Sequence, residues 1–211
     1  VASDLLRSTT GSTFSVHFRG EDLGQFQIPS FGRHNVMNAT AVVGLLYIAG
    51  FDLDLVREHL KTFSGVKRRF TEKIVNDTVI IDDFAHHPTE IKATLKAIKS
   101  VDNSRLVAIF QPHRYSRVHF LLDEFKDAFV DVDKVILLPI YAAGEKNEFN
   151  VSSEILKEHI NHANVELMNE WKDIKRYVSR VKKDSTYIFM GAGDISTLAH
   201  EIAEELEGMS E

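Results

Sequence analysis

The sequence predicts a doubly wound α/β domain with a mostly parallel sheet, preceded by a partial domain built from a β-hairpin and two helices. Three observations carry that prediction. From residue 65 onward, short apolar runs alternate with helical patterns, as in βαβ units. Segments bearing acid, imidazole, guanidinium and glycine follow those runs and precede the helices. In a parallel sheet such positions are the carboxyl ends of the strands, where ligands bind at the topological switch point. Residues 1–64 follow a different pattern, with alternation first and helical spacing after it.

Thr13 to Phe18 alternates, Gly20-Glu21-Asp22 supplies a turn and Leu23 to Ile28 resumes extended chain, which reads as a hairpin. After Pro29 and Gly32, the residues Val36, Ala39, Val42, Val43, Leu45 and Leu46 recur at helical spacing until Gly50 ends the helix. Asp54 to Phe63 reads as a second helix. These pieces hold too few strands to close a sheet of their own, so residues 1–64 are expected to be the end of a larger domain and the chain a fragment. Strands are then expected near Thr71 to Val75, Val79 to Asp82, Leu106 to Phe110, Val135 to Pro139, Val165 to Met168 and Tyr187 to Met190. Pro88 opens a helix at its first position, with Ile91, Leu95 and Ile98 as its buried stripe. Further helices are expected over about Arg117 to Val130, Ser152 to His159, Asp173 to Val181 and Ile195 to Leu206.

Composition removes several function classes. A formal net charge of -6, with Lys and Arg interspersed among Asp and Glu, argues against nucleic-acid binding, which needs a clustered basic face. The absence of cysteine removes disulfides, thiol catalysis and Cys-based zinc sites, and is compatible with a reducing cytosol. No apolar run approaches the roughly 20 residues that span a bilayer. The first residues show no signal-peptide pattern, and the expected location is the cytoplasm.

The loops hold the chemistry. Asp82-Asp83 ends a buried strand, and a histidine pair opens the next helix, where the dipole and free N–H groups favour anions. A carboxylate there suits a ribose hydroxyl or a metal; alternatively, Asp83 and His87 cap the helix. Arg114 and Arg117, three apart at a helix start, can form two forks for a carboxylate or phosphate with His113 beside them. A solvated charged turn is the alternative. Gly191-Ala192-Gly193 is neither G-x-G-x-x-G nor a phosphate-binding loop, and is weak alone. Tyr141 and Glu145 flank a glycine turn in which loop closure outweighs a functional role. Asn35 and Asn38 can offer amides to an adenine edge, although N-capping explains one of them equally well. Lys67-Arg68-Arg69, at the presumed junction, is either a solvated face or a basic cluster of the kind phosphoryl transfer uses. His86, His87 and His113 raise a metal-dependent hydrolase, against which stand the lack of firm ligand spacing and the adjacent arginines.

Together these segments resemble one family, the Mur ligases. Gly32-Arg33-His34-Asn35-Val36-Met37-Asn38-Ala39 is similar to the family's G-x-H-N-x-x-N-A segment, and Phe63 to Phe70 to its junction motif. Asp82 to Pro88, Phe110 to Arg117 and Met190 to Ile195 resemble its alanine-adding branch. The recycling branch, which adds a preformed peptide to UDP-N-acetylmuramate, shares the Asp82 to Pro88 segment and differs at Gln111 to Arg117.

The resemblance implies an ATP-dependent, amide-forming ligase of peptidoglycan precursor synthesis that takes UDP-N-acetylmuramate, L-alanine and ATP, with Mg2+ bound outside these residues. It implies a remnant of the central ATP-binding domain at 1–64 and a Rossmann-like C-terminal domain at 65–211, which binds the amino acid and part of ATP. By the same resemblance Asn35 and Asn38 contact adenine, Asp83 the ribose and Arg69 the transferred phosphate, as its catalytic residue. His86, His113, Arg114 and Arg117 form the substrate site, with His86 and the two arginines on the muramoyl and alanine carboxylates. Two departures matter. The family's G-x-G-K-S/T loop, magnesium ligands and uridine-nucleotide domain do not occur in these residues, so the chain is expected not to catalyse alone; a nucleotide-binding module without turnover is a further alternative. Phe84 stands where many relatives carry tyrosine, which removes a hydroxyl.

Overall fold

The computed structural model describes residues 1–8, 11–30, 32–63, 69–75, 77–102, 104–180 and 184–208. The chain divides into two compact units, Val1–Val66 and Lys67–Glu211.

In the first unit, β1 (Ala2–Ser8), β2 (Gly11–Phe18) and β3 (Glu21–Ile28) form an antiparallel sheet in chain order, followed by α1 (Arg33–Ile48) and α2 (Leu53–Thr62). Arg19 and Gly20 both take positive φ, 50° and 88°, between the paired residues Phe18 and Glu21. That two-residue turn matches the twist of a hairpin, so the bend lies one residue earlier than expected. Phe14, Val16, Leu23, Phe26 and Ile28 pack on Val36, Ala39 and Val43 of α1 and Val56 of α2. The expectation that this segment closes no sheet is corrected: β1 supplies a third strand. Its register slips between Ser3 and Leu6, and the irregularity erases the two-residue period by which a strand is read. Helix α1 is apolar on a second side too, with Met37, Val42, Leu45 and Ile48 exposed.

In the second unit, β4 (Thr71–Val75) and β5 (Thr78–Asp83) form a hairpin, and α3 (Pro88–Lys99) leads to β6 (Arg105–Phe110). Then come α4 (Tyr115–Phe120), α5 (Leu122–Phe125), β7 (Lys134–Leu137), α6 (Ser153–His159) and β8 (Val165–Leu167). The chain returns through α7 (Trp171–Arg180) to β9 (Ser185–Met190) and ends with α8 (Ile195–Gly208). The sheet order is β4-β5-β9-β6-β7-β8, parallel except for the β4–β5 pair. One core lies beneath α3 to α6, around Ile91, Leu95, Phe110, Phe125 and Leu156; the other lies beneath α7 and α8, around Ile109, Ile174, Phe189 and Leu198. Helices thus cover both faces, the expected doubly wound arrangement.

The single helix expected over Arg117 to Val130 is two short ones. The chain breaks at Leu121, and Glu124 N–H to Leu121 O, Lys126 N–H to Asp123 O and Ala128 N–H to Phe125 O are three-residue bonds. Val118, Phe125, Ala128 and Phe129 are all buried across the break.

Strand β9 enters between β5 and β6, and the register sets Asp83, Met190 and Phe110 side by side. Their successors, Phe84, Gly191 and Gln111, therefore leave the sheet along one edge.

Candidate functional site

Gln111 organises that edge. Its side chain is buried, its Nε2 donates to Asp194 Oδ1 at 2.6 Å and its Oε1 accepts from Ile195 N at 3.2 Å, so β6 grips the start of α8. A Cβ on Gly193 would lie 2.4 Å from Gln111 Oε1 and 2.7 Å from the Tyr141 ring. At Gly191, where φ is 154°, it would lie 2.8 Å from Gln111 O. Close packing within the protein thus accounts for both glycines.

The two aspartates part company because successive strand residues face opposite sides. Asp83 Oδ2 accepts from Phe70 N and Oδ1 from Ala85 N, both at 2.9 Å, which shapes the turn after β5. Asp82 Oδ2 accepts from Ser196 Oγ at 2.5 Å, on the side of α8. His87 caps α3: its Nδ1 accepts from Thr89 N, and Glu90 Oε2 accepts from His87 N in return. Glu90 Oε2 also accepts from His86 N at 3.3 Å.

The cationic loop follows β6. Arg114 holds φ 70° and ψ 134°, a conformation rare for a side chain of its size, and marks strain of the sort that collects at functional sites. Backbone bonds hold it there: Arg114 N donates to Tyr141 O and Tyr141 N to Pro112 O, both at 2.8 Å. Ser116 N and Oγ donate to the two carboxylate oxygens of Glu145 at 3.0 and 2.7 Å, and Arg114 Nη1 lies 3.7 Å from Glu145 Oε1. Arg117 Nη1 meets His113 Nδ1 at 3.0 Å and donates to His113 O at 3.2 Å. The His113 ring stacks on Tyr141 and stands 5.9 Å from the His86 ring. Phe84 meets His86 edge to face at 5.2 Å, and the Arg69 guanidinium sits 5.3 Å over the Phe84 ring and 3.9 Å from Glu90.

Electrostatics assign the protons. Burial, then Arg117, His86 and Arg114, bring the His113 pKa from 6.5 down to about 4. His86 is lowered by burial first, against the opposing effect of its bond to Phe84 O. Both imidazoles are therefore neutral at pH 7. A guanidinium only donates, so His113 Nδ1 accepts from Arg117 and its proton resides on Nε2. A carbonyl only accepts, so His86 Nδ1 carries its proton toward Phe84 O at 2.8 Å, leaving Nε2 as the acceptor. Burial and Arg114 lower the Arg117 pKa, and the backbone N–H of Ser116 holds Glu145 below the usual carboxylate range.

Of the residues singled out from sequence, Arg69, Asp83, His86, His113, Arg114 and Arg117 gather at the strand ends of the second unit. Asn35, partly buried, and Asn38, exposed, lie on α1 in the first unit. Neither caps it, since the cap position is Gly32 with no side-chain bond. Ser64 to Arg68 of the junction motif lie outside the described residues. Gln111, Glu90, Tyr141 and Glu145 were not among the expected site residues; the glycine turn 141–145 was the one trace of the last two. Among the described residues, no group of three or more His, Cys, Asp or Glu side chains is placed to hold a metal ion. No helix among them is long and apolar enough to cross a membrane.

Known proteins are similar to this chain in sequence and in fold. A protein of Fusobacterium nucleatum named UDP-N-acetylmuramate--L-alanine ligase is 68% identical over 209 residues, covering 94% of this chain and 45% of its own length. One of the same name from Streptococcus pneumoniae is 58% identical over 212 residues, covering 100% of this chain and 47% of its own. The chain thus spans about half the length of these relatives. The crystal structure of the UDP-N-acetylmuramate-alanine ligase of Thermotoga maritima superimposes with a TM-score of 0.78 at 28% identity, over 99% of this chain and 46% of that one. A murein peptide ligase from Psychrobacter arcticus shares the fold, with a TM-score of 0.71 at 24% identity over 98% of this chain and 44% of its own. Residues 68–193 match the family model described as "Mur ligase, glutamate ligase domain", and the chain belongs to that family.

Proposed function

We propose that the chain is part of an ATP-dependent ligase that joins L-alanine to UDP-N-acetylmuramate in peptidoglycan precursor synthesis. The observation that carries this reading is the pair of guanidiniums on one braced loop beside two neutral imidazoles. An α-amino acid is a zwitterion. Arg114 and Arg117 supply donors for its carboxylate, and neutral His86 offers Nε2 as an acceptor that suits its ammonium better than a second carboxylate. The names of the 58–68% identical relatives supply the support for L-alanine and UDP-N-acetylmuramate as substrates.

In the proposed reaction the γ-phosphate of ATP passes to the muramoyl carboxylate. Once its ammonium proton has passed to solvent, the amine attacks the acyl carbon, and the tetrahedral intermediate collapses to the amide with loss of phosphate and of the second amine proton. Arg69 is assigned to the transferred phosphate, Asp83 to the ribose, and Asn35 and Asn38 to adenine. The first unit is read as the end of a larger ATP-binding domain, in keeping with the second apolar side of α1. Mg2+ belongs to the reading of the whole enzyme; the described residues supply no cluster that fits it. The cytoplasm, where ATP is available, is the proposed location.

The test is phosphate release by the full-length parent protein with ATP, Mg2+ and UDP-N-acetylmuramate, comparing L-alanine, glycine, L-serine and a preformed tripeptide. Preference for L-alanine is expected. Release with tripeptide alone would move the chain to the recycling branch, and the absence of release with every one of these acceptors would remove the ligase reading.

A further inference from the structure

We infer that Glu145 is a positioning residue: its carboxylate anchors the loop that carries Arg114 and Arg117, and so sets the affinity of the site for the substrate's carboxylate. The inference rests on the amide-ligase reading and names the residue through which its amino-acid subsite is held. Ser116, between the two arginines, gives both its N–H and its hydroxyl to Glu145. The same carboxylate faces Arg114 across 3.7 Å, while the side chain itself is only 25% exposed. Glu145 is presented by a tight turn in which Ala143 and Gly144 take φ of 50° and 82° and Glu145 N donates to Ala142 O at 3.0 Å. The turn thus fixes where the carboxylate is presented, and it is ionised at neutral pH.

Two guanidiniums on one short loop repel each other, as the effect of Arg114 on Arg117 records. Neutral His113 and His86 offer no counter-charge. Glu145 supplies one on the Arg114 side, and Glu90 supplies the other, facing Arg69 and Arg117. Glutamine at 145 would keep the shape and one acceptor, but would lose the charge and the two-oxygen grip on Ser116. The Arg114 guanidinium would then lose the counter-charge that directs it, while its backbone stays bonded to Tyr141.

The test uses the full-length parent enzyme. Glu145→Gln is expected to raise the KM for L-alanine about tenfold with the KM for ATP unchanged, since one charge-assisted bond network is lost at one subsite. Ser116→Ala, which removes only the hydroxyl bond, is expected to raise the same constant about threefold. A reaction-independent readout accompanies both: formate titration followed by NMR of the arginine Nε–H signals, in which Glu145→Gln should need about tenfold more formate than wild type. Equal rises in both KM values would overturn the inference. So would a lost melting transition in Glu145→Gln combined with an unchanged L-alanine KM in Ser116→Ala. If the wild type releases no phosphate with L-alanine, the ligase reading fails, and the formate titration still decides: equal formate affinity in wild type and Glu145→Gln would overturn the role of Glu145.

Discussion

The His113 ring lies flat against the Tyr141 ring, with centroids 5.6 Å apart and planes 12° from parallel. One ring comes from the loop after β6, the other from the loop after β7, and a bridge in parallel register joins the two backbones at these residues. Gly193, from the loop after β9, closes on the other partner of the stack, so three strand ends meet through one aromatic pair.

Gly193→Ala should disturb that meeting. The added methyl would need to displace Gln111 Oε1 or the Tyr141 ring, both held by neighbouring bonds. A loss of about 1–3 kcal/mol in unfolding free energy is expected, the usual range for overpacking. Urea denaturation measures it, and an unchanged midpoint would show that the loops move apart freely.

Arg117→Ala removes a fork that donates to His113 and faces the proposed carboxylate. In the full-length enzyme it should lower kcat/KM for the amino acid by an amount worth about 1.5–3 kcal/mol, the value of a hydrogen bond to a charged group. Unchanged kinetics would count against the assignment, and a lost melting transition would indicate a structural role instead.

The pH dependence of stability follows from the imidazoles. His113 titrates near 4 when folded and at the ordinary 6.5 when unfolded, so between those values the unfolded chain binds more protons. Stability therefore rises with pH through that window, is fully present above 6.5 and is lost as pH falls toward 4. His86 shifts in the same direction. Denaturation midpoints should thus be flat at neutral pH and fall below about 6.5, with a shallower fall in His113→Gln. An identical slope in that variant would remove His113 from the explanation.

Glu90 separates capping from charge. Glu90→Ala opens the box at α3, where Glu90 Oε2 accepts from His86 N and His87 N, and should cost about 0.5–2 kcal/mol. Glu90→Gln preserves an acceptor for those N–H groups and should keep most of that stability while removing the counter-charge to Arg69. Equal losses in the two variants would mean that charge, not the cap, dominates.

The order of strands and helices in the second unit was legible because its causes are local. Continuous apolar runs such as Leu106 to Phe110 mark buried parallel strands, and His87-Pro88 with Glu90 marks a helix start. The position of His113, Arg114 and Arg117 at a strand end was legible as well, since the apolar run Leu106 to Phe110 marks where that strand stops. Strand β1 and the break at Leu121 were not: a register slip conceals the first, and the second leaves no mark in the spacing, because Val118, Phe125 and Phe129 would share a face of an unbroken helix as well.

By itself, then, the amino-acid sequence determined the alternation of elements and the residue types that stand at the strand ends. The tertiary structure alone decided which loops touch. Insertion of β9 between β5 and β6 aligned Asp83, Met190 and Phe110, and brought Gly193 to Tyr141, Tyr141 to His113 and Glu145 to Ser116. Local propensity acts over a few residues, whereas these pairings join separate strand ends and exist only once the sheet's register has closed.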